Sequence, residues 1–237
     1  MPDPDSRTPS RTTSTPPLPA LDLIRNVSGS YSTILADPPW QFQNRTGKMA
    51  PEHRRLLRYP TMDLPEIAQL PVGRLAAADS HLYLWVPNAL LREGLEVMEA
   101  WGFVYKTHLV WYKVRRDGGP DGRGVGFYFR NVTEMVLFGV RGSLRTLVPG
   151  RTQVNLFATR KREHSRKPDE IYGIVEACSP GPYLELFARF RRPGWKQWGN
   201  EDVEENTTLG VARRNGHVDP QLRLLDPPRG YGRRHAS

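Results

Sequence analysis

Cysteine is nearly absent: Cys178 is the only one in 237 residues. One thiol cannot close an internal disulfide, which excludes a disulfide-stapled scaffold and makes a reducing compartment the default. In "DEIYGIVEAC" it falls at helical spacing with Ile171, Ile174 and Val175, a core position rather than a nucleophile's. No apolar run approaches the ~20 residues of a membrane-spanning helix, and the N-terminus lacks the apolar segment of a signal peptide. The expectation is a soluble, cytoplasmic protein that meets no membrane. His81, His108 and His164 show no metal-ligand spacing, so no metal is expected. The glycines of "GGPDGRGVG" lack the dinucleotide fingerprint between a strand and a helix and read as a loop.

What the chain does have is basic charge and enough apolar residues for a core. The net charge of +9 suggests a polyanionic partner. Hydrophobic residues make up 38%, with six tryptophans. Residues 1–20 are rich in Pro, Ser and Thr and cannot pack, so they read as a disordered tail. Residues 207–237, rich in Arg, Gly and Pro, read as a basic, flexible tail. Residues 21–206 form the one expected domain, with no internal repeat.

Inside that domain, apolar runs alternate with helical patterns. "YSTILAD", "HLYLWV", "FVYKTHLVWYKV", "EMVLFGV" and "YLELFAR" are strand candidates, the last of them the final strand. "MDLPEIAQL", "NALLREGLEVMEAWG" and "PDEIYGIVEACSPG" are helix candidates. In the second, Leu91, Leu95 and Met98 share a face and Asn88 is a candidate cap. This alternation predicts an α/β fold, a mostly parallel sheet with helices on both faces. Trp85, Trp101 and Trp111 follow the element periods and read as core, while His81 and His108 read as satisfied core or edge histidines rather than catalytic bases.

The first strand ends in "ADPPW". Ligands of open α/β sheets bind beyond the carboxyl ends of strands, which is where Asp37 falls. Pro38 and Pro39 fix the following backbone and are expected to leave the carbonyls free as acceptors, without competing N–H donors. Trp40 offers a flat apolar surface. Together these residues suit a flat aromatic ligand with hydrogen-bond donors on its edge, such as the exocyclic amine of a nucleobase. A carboxylate and a carbonyl accepting its two protons would draw that amine toward tetrahedral geometry and free its lone pair, while Trp40 stacked on the base.

"DPPW" is followed, in order, by "LYLWVPNALLREGLEVMEAWGF", "LVWYK", "EMVLFGVRG", "HSRKPDEIYGIVEACSPG", "YLELFAR" and "WGNE". Over residues 31–201 this set resembles the MTA-type family, named for the seventy-kilodalton subunit of the eukaryotic messenger-RNA adenosine-N6 methyltransferase. The resemblance implies a Rossmann-like methyltransferase fold with permuted motif order and S-adenosyl-L-methionine as donor, S-adenosyl-L-homocysteine being the product. It assigns Asp37, Pro38, Pro39 and Trp40 to the catalytic motif, with Asp37 also near the donor's sulfonium. By the same resemblance Tyr59 belongs to a gate loop beside the substrate, Lys167 contacts the donor's carboxylate, and Phe187 and Arg189 line its ribose and methionine region. Asn200 and Glu201 fall near its adenine and ribose, Glu201 standing where the relative has glutamine. Phe190, Arg191 and Arg192 replace residues able to bond ribose hydroxyls, which leaves Arg191 or Arg192 for that role.

The basic runs "RGSLRTLVPGRTQ" and "ATRKREHSRK" lie between two of these segments, and Arg151, Arg160, Lys161 and Arg162 are expected to contact phosphates. The implied activity is N6-methylation of adenine in nucleic acid, DNA before RNA, with the base flipped out or presented in a single strand. A non-catalytic nucleic-acid-binding partner with the same fold is the reading of another class. A homodimer or a heteromeric partner is compatible with the sequence.

Overall fold

Period-two apolar runs put alternate side chains on opposite faces of a strand, and the chain uses both faces. The computed structural model describes residues 18–41, 61–122, 128–160 and 166–199. Among these residues seven strands form one sheet: β1 (Tyr31–Ala36), β2 (Ala76–Val86), β3 (Val104–Val114), β4 (Thr133–Arg141), β5 (Leu156–Arg160), β6 (Tyr183–Leu186) and β7 (Trp195–Trp198). Their spatial order is β5-β3-β4-β2-β1-β6-β7. Only β4 is antiparallel to its neighbours, β2 and β3; the other pairings are parallel.

Ile34, Ala36, Leu82, Leu84, Leu137, Leu184 and Leu186 face one layer. Over them pack α1 (Leu18–Asn26), the short α2 (Leu64–Ala68) and α3 (Val72–Leu75), and α4 (Leu91–Ala100). The intervening Leu35, Tyr83, Trp85, Trp111, Val136 and Phe157 face the other layer, where α5 (Glu170–Cys178) contributes Ile171, Ile174, Val175 and Cys178. Trp85, Trp101, Trp111 and Cys178 are buried, as their spacing predicts. Buried His81 has Ser179 Oγ at 2.7 Å from Nδ1 and the Leu144 carbonyl at 3.1 Å from Nε2, the environment of a satisfied core histidine.

Several local expectations change. α1 starts at Leu18, within the segment read as tail, and buries Ala20 and Leu23. β6 is not the last strand; β7 pairs beside it. The buried face of α4 is Gly94, Val97 and Met98, while Leu91 is exposed. A Cβ on Gly94 would lie 2.6 Å from Val86 Cγ2, so glycine is what lets α4 approach β2 this closely. Asn88 caps nothing: its Nδ2 donates to Thr133, and the capping position falls on Leu90 without a side-chain bond. Clear capping chemistry appears at α2, where Asp63 and Glu66 form a reciprocal capping box.

Candidate active site

The register sets the site. Ala36 pairs with Leu84 on one side and Leu186 on the other. One residue further on, Asp37, Trp85 and Phe187 therefore reach the carboxyl-end rim together. The Asp37 N–H donates to the Leu186 carbonyl at 3.4 Å, which starts the loop where the β1–β6 pairing stops. Behind it the Trp40 N–H donates to Pro38 O at 2.8 Å, and Met62 N–H donates to Pro39 O at 3.0 Å. The proline carbonyls are thus not without donors, contrary to the sequence expectation. A carbonyl has two lone pairs, so each keeps capacity for one further bond.

Trp40 requires a larger correction. It is 7% exposed, and its Nε1 donates to the Trp85 carbonyl at 2.9 Å. Burying a large indole whose N–H finds a partner is favoured over leaving it open to solvent. Trp40 is thus a packed anchor that clamps the loop to β2, not an open stacking platform.

Asp37, Lys167, Phe187, Arg189 and Arg191 line one cleft, together with Trp85, Arg166 and Glu185. Lys167 Nζ lies 3.0 Å from Asp37 Oδ1 and 3.3 Å from Glu134 Oε2, and 5.1 Å above the Trp85 ring. Lys113 Nζ donates to the other Glu134 oxygen, Oε1. A chain of alternating charge, Lys113–Glu134–Lys167–Asp37, therefore crosses the rim from β3 to β1. Burial alone would raise the pKa of Glu134, but the two ammonium groups outweigh it and lower the value to about 2. Burial would likewise lower Lys167, and its two carboxylate partners instead hold it above the ordinary lysine value.

Neither Glu134 nor Glu185 figures in the sequence reading. Glu185, on β6, accepts from Tyr172 Oη and Gln197 Nε2, both at 2.7 Å. Burial raises its pKa despite these bonds, and the charge of Asp37 adds to the rise. Each acid had a signal: a lone carboxylate at the head of, or inside, an apolar strand. Phe187 has φ 66°, the left-handed region that a bulky residue enters at a cost of ~1–3 kcal/mol, and strain of this kind clusters at functional sites. Arg166 Nε is buried without a hydrogen-bond partner among the described residues.

Arg160 ends β5, exposed, on the same rim as Asp37. Four inter-strand steps separate β5 from β1, roughly 19 Å. Arg151 is a correction. Because β4 runs backward, the chain leaves it at the opposite rim, and Arg151 lies before β5 at that far end, with Nε donating to Thr146 O. Proximity in sequence to the site segments does not carry over to space. Tyr59, Lys161, Arg162, Asn200 and Glu201 lie outside the described residues.

The sequence model of the MT-A70 family matches residues 31–201. The chain belongs to the MT-A70 family. Its sheet accordingly has the Rossmann-like methyltransferase architecture of MT-A70 proteins. The chain is similar to the type II methyltransferase M.MunI of Mycoplasma sp, 32% identical over 187 residues, covering 72% of this chain and 77% of that one. It is 31% identical over 183 residues to the N(6)-adenosine-methyltransferase MT-A70-like protein of Drosophila melanogaster, covering 76% of this chain and 28% of the relative. With the human N(6)-adenosine-methyltransferase catalytic subunit METTL3 it shares 29% over 180 residues, 74% of this chain and 29% of METTL3. This MT-A70 chain thus spans less than a third of the length of those two eukaryotic relatives.

Proposed function

We propose that the chain is an adenine-N6 methyltransferase of nucleic acid that uses S-adenosyl-L-methionine, with adenine in DNA as first substrate and adenosine in RNA as second. The observation that carries this reading is the meeting of Asp37, at the head of the Asp37–Trp40 loop, with Lys167, Glu185 and Phe187 in one cleft. The names of METTL3 and the Drosophila relative support an adenosine-N6 target. The match over most of M.MunI supports a similarly organised type II methyltransferase, hence the order of substrates.

The cleft suits the donor chemically. An ammonium has three donors, and the two acids use two of those of Lys167, leaving one for a carboxylate. Glu185 is an acceptor for ribose hydroxyls, Phe187 and Trp85 supply apolar surface, and the Arg166 Nε–H needs an acceptor. When bound, the donor supplies an electrophilic methyl group on a sulfonium. A carboxylate has about four acceptor sites, so Asp37 can hold Lys167 and still accept one N–H of the target amine. The second lone pair of Pro38 O is suited to the other N–H. With Trp40 locked to Trp85, the loop holds both acceptors still. Such fixed dipoles stabilise developing charge without reorganising.

The test is transfer of labelled methyl to duplex DNA, single-stranded DNA and RNA, with calorimetric binding of S-adenosyl-L-homocysteine. Label in N6-methyladenine is the expected result. Nucleic-acid binding without methyl transfer and without S-adenosyl-L-homocysteine binding would instead favour the non-catalytic partner. In the same system Arg160→Ala should reduce the log–log salt slope of duplex binding by about 0.9, the value of one phosphate contact. Arg151→Ala, at the far rim, should leave the slope as it is. Equal slopes for the Arg160 variant and wild type would remove Arg160 from the phosphate track.

A further inference from the structure

The connection between β3 and β4 holds the most exposed apolar side chains among the described residues, Tyr128 at 94% and Phe129 at 85%. Two adjacent, almost fully solvated aromatics gain nothing for the fold, and neither has a ring contact in the described part of the molecule. Cations share the connection with them. Arg115, Arg116 and Arg130 are exposed on the same connection, Arg115 paired with Asp117 and Arg130 Nη1 donating to Gly122 O.

The connection has a definite place. It leaves β3 at the carboxyl-end rim and enters β4 just before Glu134, whose carboxylate contacts Lys167 and, through it, Asp37. Phe129 precedes Glu134 by five residues. An extended chain of that length spans at most about 17 Å, or roughly five steps at the 3.4 Å rise of one DNA strand. Exposed aromatics beside arginines, within a few nucleotides of a site that must receive a base out of its stack, have the composition of a base-stacking platform.

We infer that Tyr128 and Phe129 stack on unpaired bases of the nucleic acid next to the target adenine, with Arg116 and Arg130 beside the adjoining phosphates. The inference rests on the proposed function and adds the part of this chain that holds the opened strand. Stacking is tolerant of base identity, so the pair contributes affinity for single-stranded or locally opened substrate rather than sequence choice.

The experiment uses the full chain with S-adenosyl-L-homocysteine and a fluorescent single-stranded adenine-containing oligonucleotide. Tyr128→Ala with Phe129→Ala should weaken binding about tenfold or more, the scale of losing one to two stacked bases. The loss should be equal at every salt concentration, because a stacking contact releases no counterion. Tyr128→Trp with Phe129→Trp should restore affinity, and 2-aminopurine beside the target should be quenched by wild type and by the tryptophan variant only. Unchanged affinity in the alanine variant, with wild type active in methyl transfer, would overturn this inference and leave the proposed function standing. Wild type that binds no nucleic acid would overturn both. Light scattering completes the set: a loss of affinity that follows loss of an oligomer would make the pair a protein interface and overturn the stacking role.

Discussion

Asp37→Asn should lower methyl transfer by about 100- to 1,000-fold, the usual loss when one positioned electrostatic group is removed from a reacting centre. The substitution keeps the shape of the side chain and its oxygen but replaces a charge by an amide. Half of the acceptor capacity then becomes a donor that faces both Lys167 and the incoming amine. Lys167 keeps Glu134 at 3.3 Å, so no ammonium is stranded and the fold should survive. Circular dichroism and S-adenosyl-L-homocysteine titration establish that the variant is folded and competent to bind. Single-turnover transfer by such a protein at the wild-type rate would show that Asp37 does not hold the target amine.

Glu134→Gln should have the larger effect on stability. The carboxylate sits between Lys113 and Lys167, and its side chain is 28% exposed. Without its charge two ammonium groups face each other over the space it bridged. Breaking one side of a buried pair costs ~3–5 kcal/mol, and partial exposure reduces that to about 2–3 kcal/mol here. For a domain of this size that corresponds to a fall in Tm of roughly 4–12 °C.

The pH dependence supplies a second readout. The charges of Lys167 and Lys113 hold the carboxyl of folded Glu134 at about 2, below the 4.5 of a free glutamate. Its stabilisation is therefore complete above the unfolded value and is lost as pH falls from there toward 2. Urea denaturation should show wild type well above the glutamine variant at pH 7, and the difference should shrink steadily below about pH 4.5. A constant difference down to pH 2.5, or none at pH 7, would mean that Glu134 is not held by the two lysines.

These two acids differ in how far the sequence discloses them. Asp37, Lys167, Phe187, Arg189 and Arg191 fall in one cleft because each belongs to a segment next to a strand end, and parallel strands bring their ends to one rim. Asp37 was legible for that reason. Glu134 begins a strand, and a strand's first residue belongs at the far rim unless the strand runs backward. The reversal of β4 is set by pairing with β2 and β3, which no local pattern records. The same reversal carries Arg151 away from the site although it lies between two site segments in sequence. Trp40 was misread for a related reason. The partner of its indole N–H is the carbonyl of Trp85, 45 residues on, so burial and an open platform look alike in the tetrapeptide. The two-faced sheet was legible because burial follows period two; α1 and β7 were not, being short and resting on each other through the bond from Trp198 Nε1 to Asp22.

The position of β1 between β2 and β6 bears on how the protein is made. One edge of β1 can be closed as soon as β2 has emerged from the ribosome, but the other waits for a partner that ends at Leu186, some 150 residues after Ala36. At the usual ~5–20 residues per second, that is roughly 8–30 s of synthesis. Throughout this interval an apolar strand, its side chains destined for both layers, presents an unsatisfied edge with Asp37 at its tip. Nascent chains arrested before β6 therefore carry a strand ready to pair with another molecule. Their aggregation, rather than any shortfall in the finished fold, becomes the hazard in truncated forms of this protein.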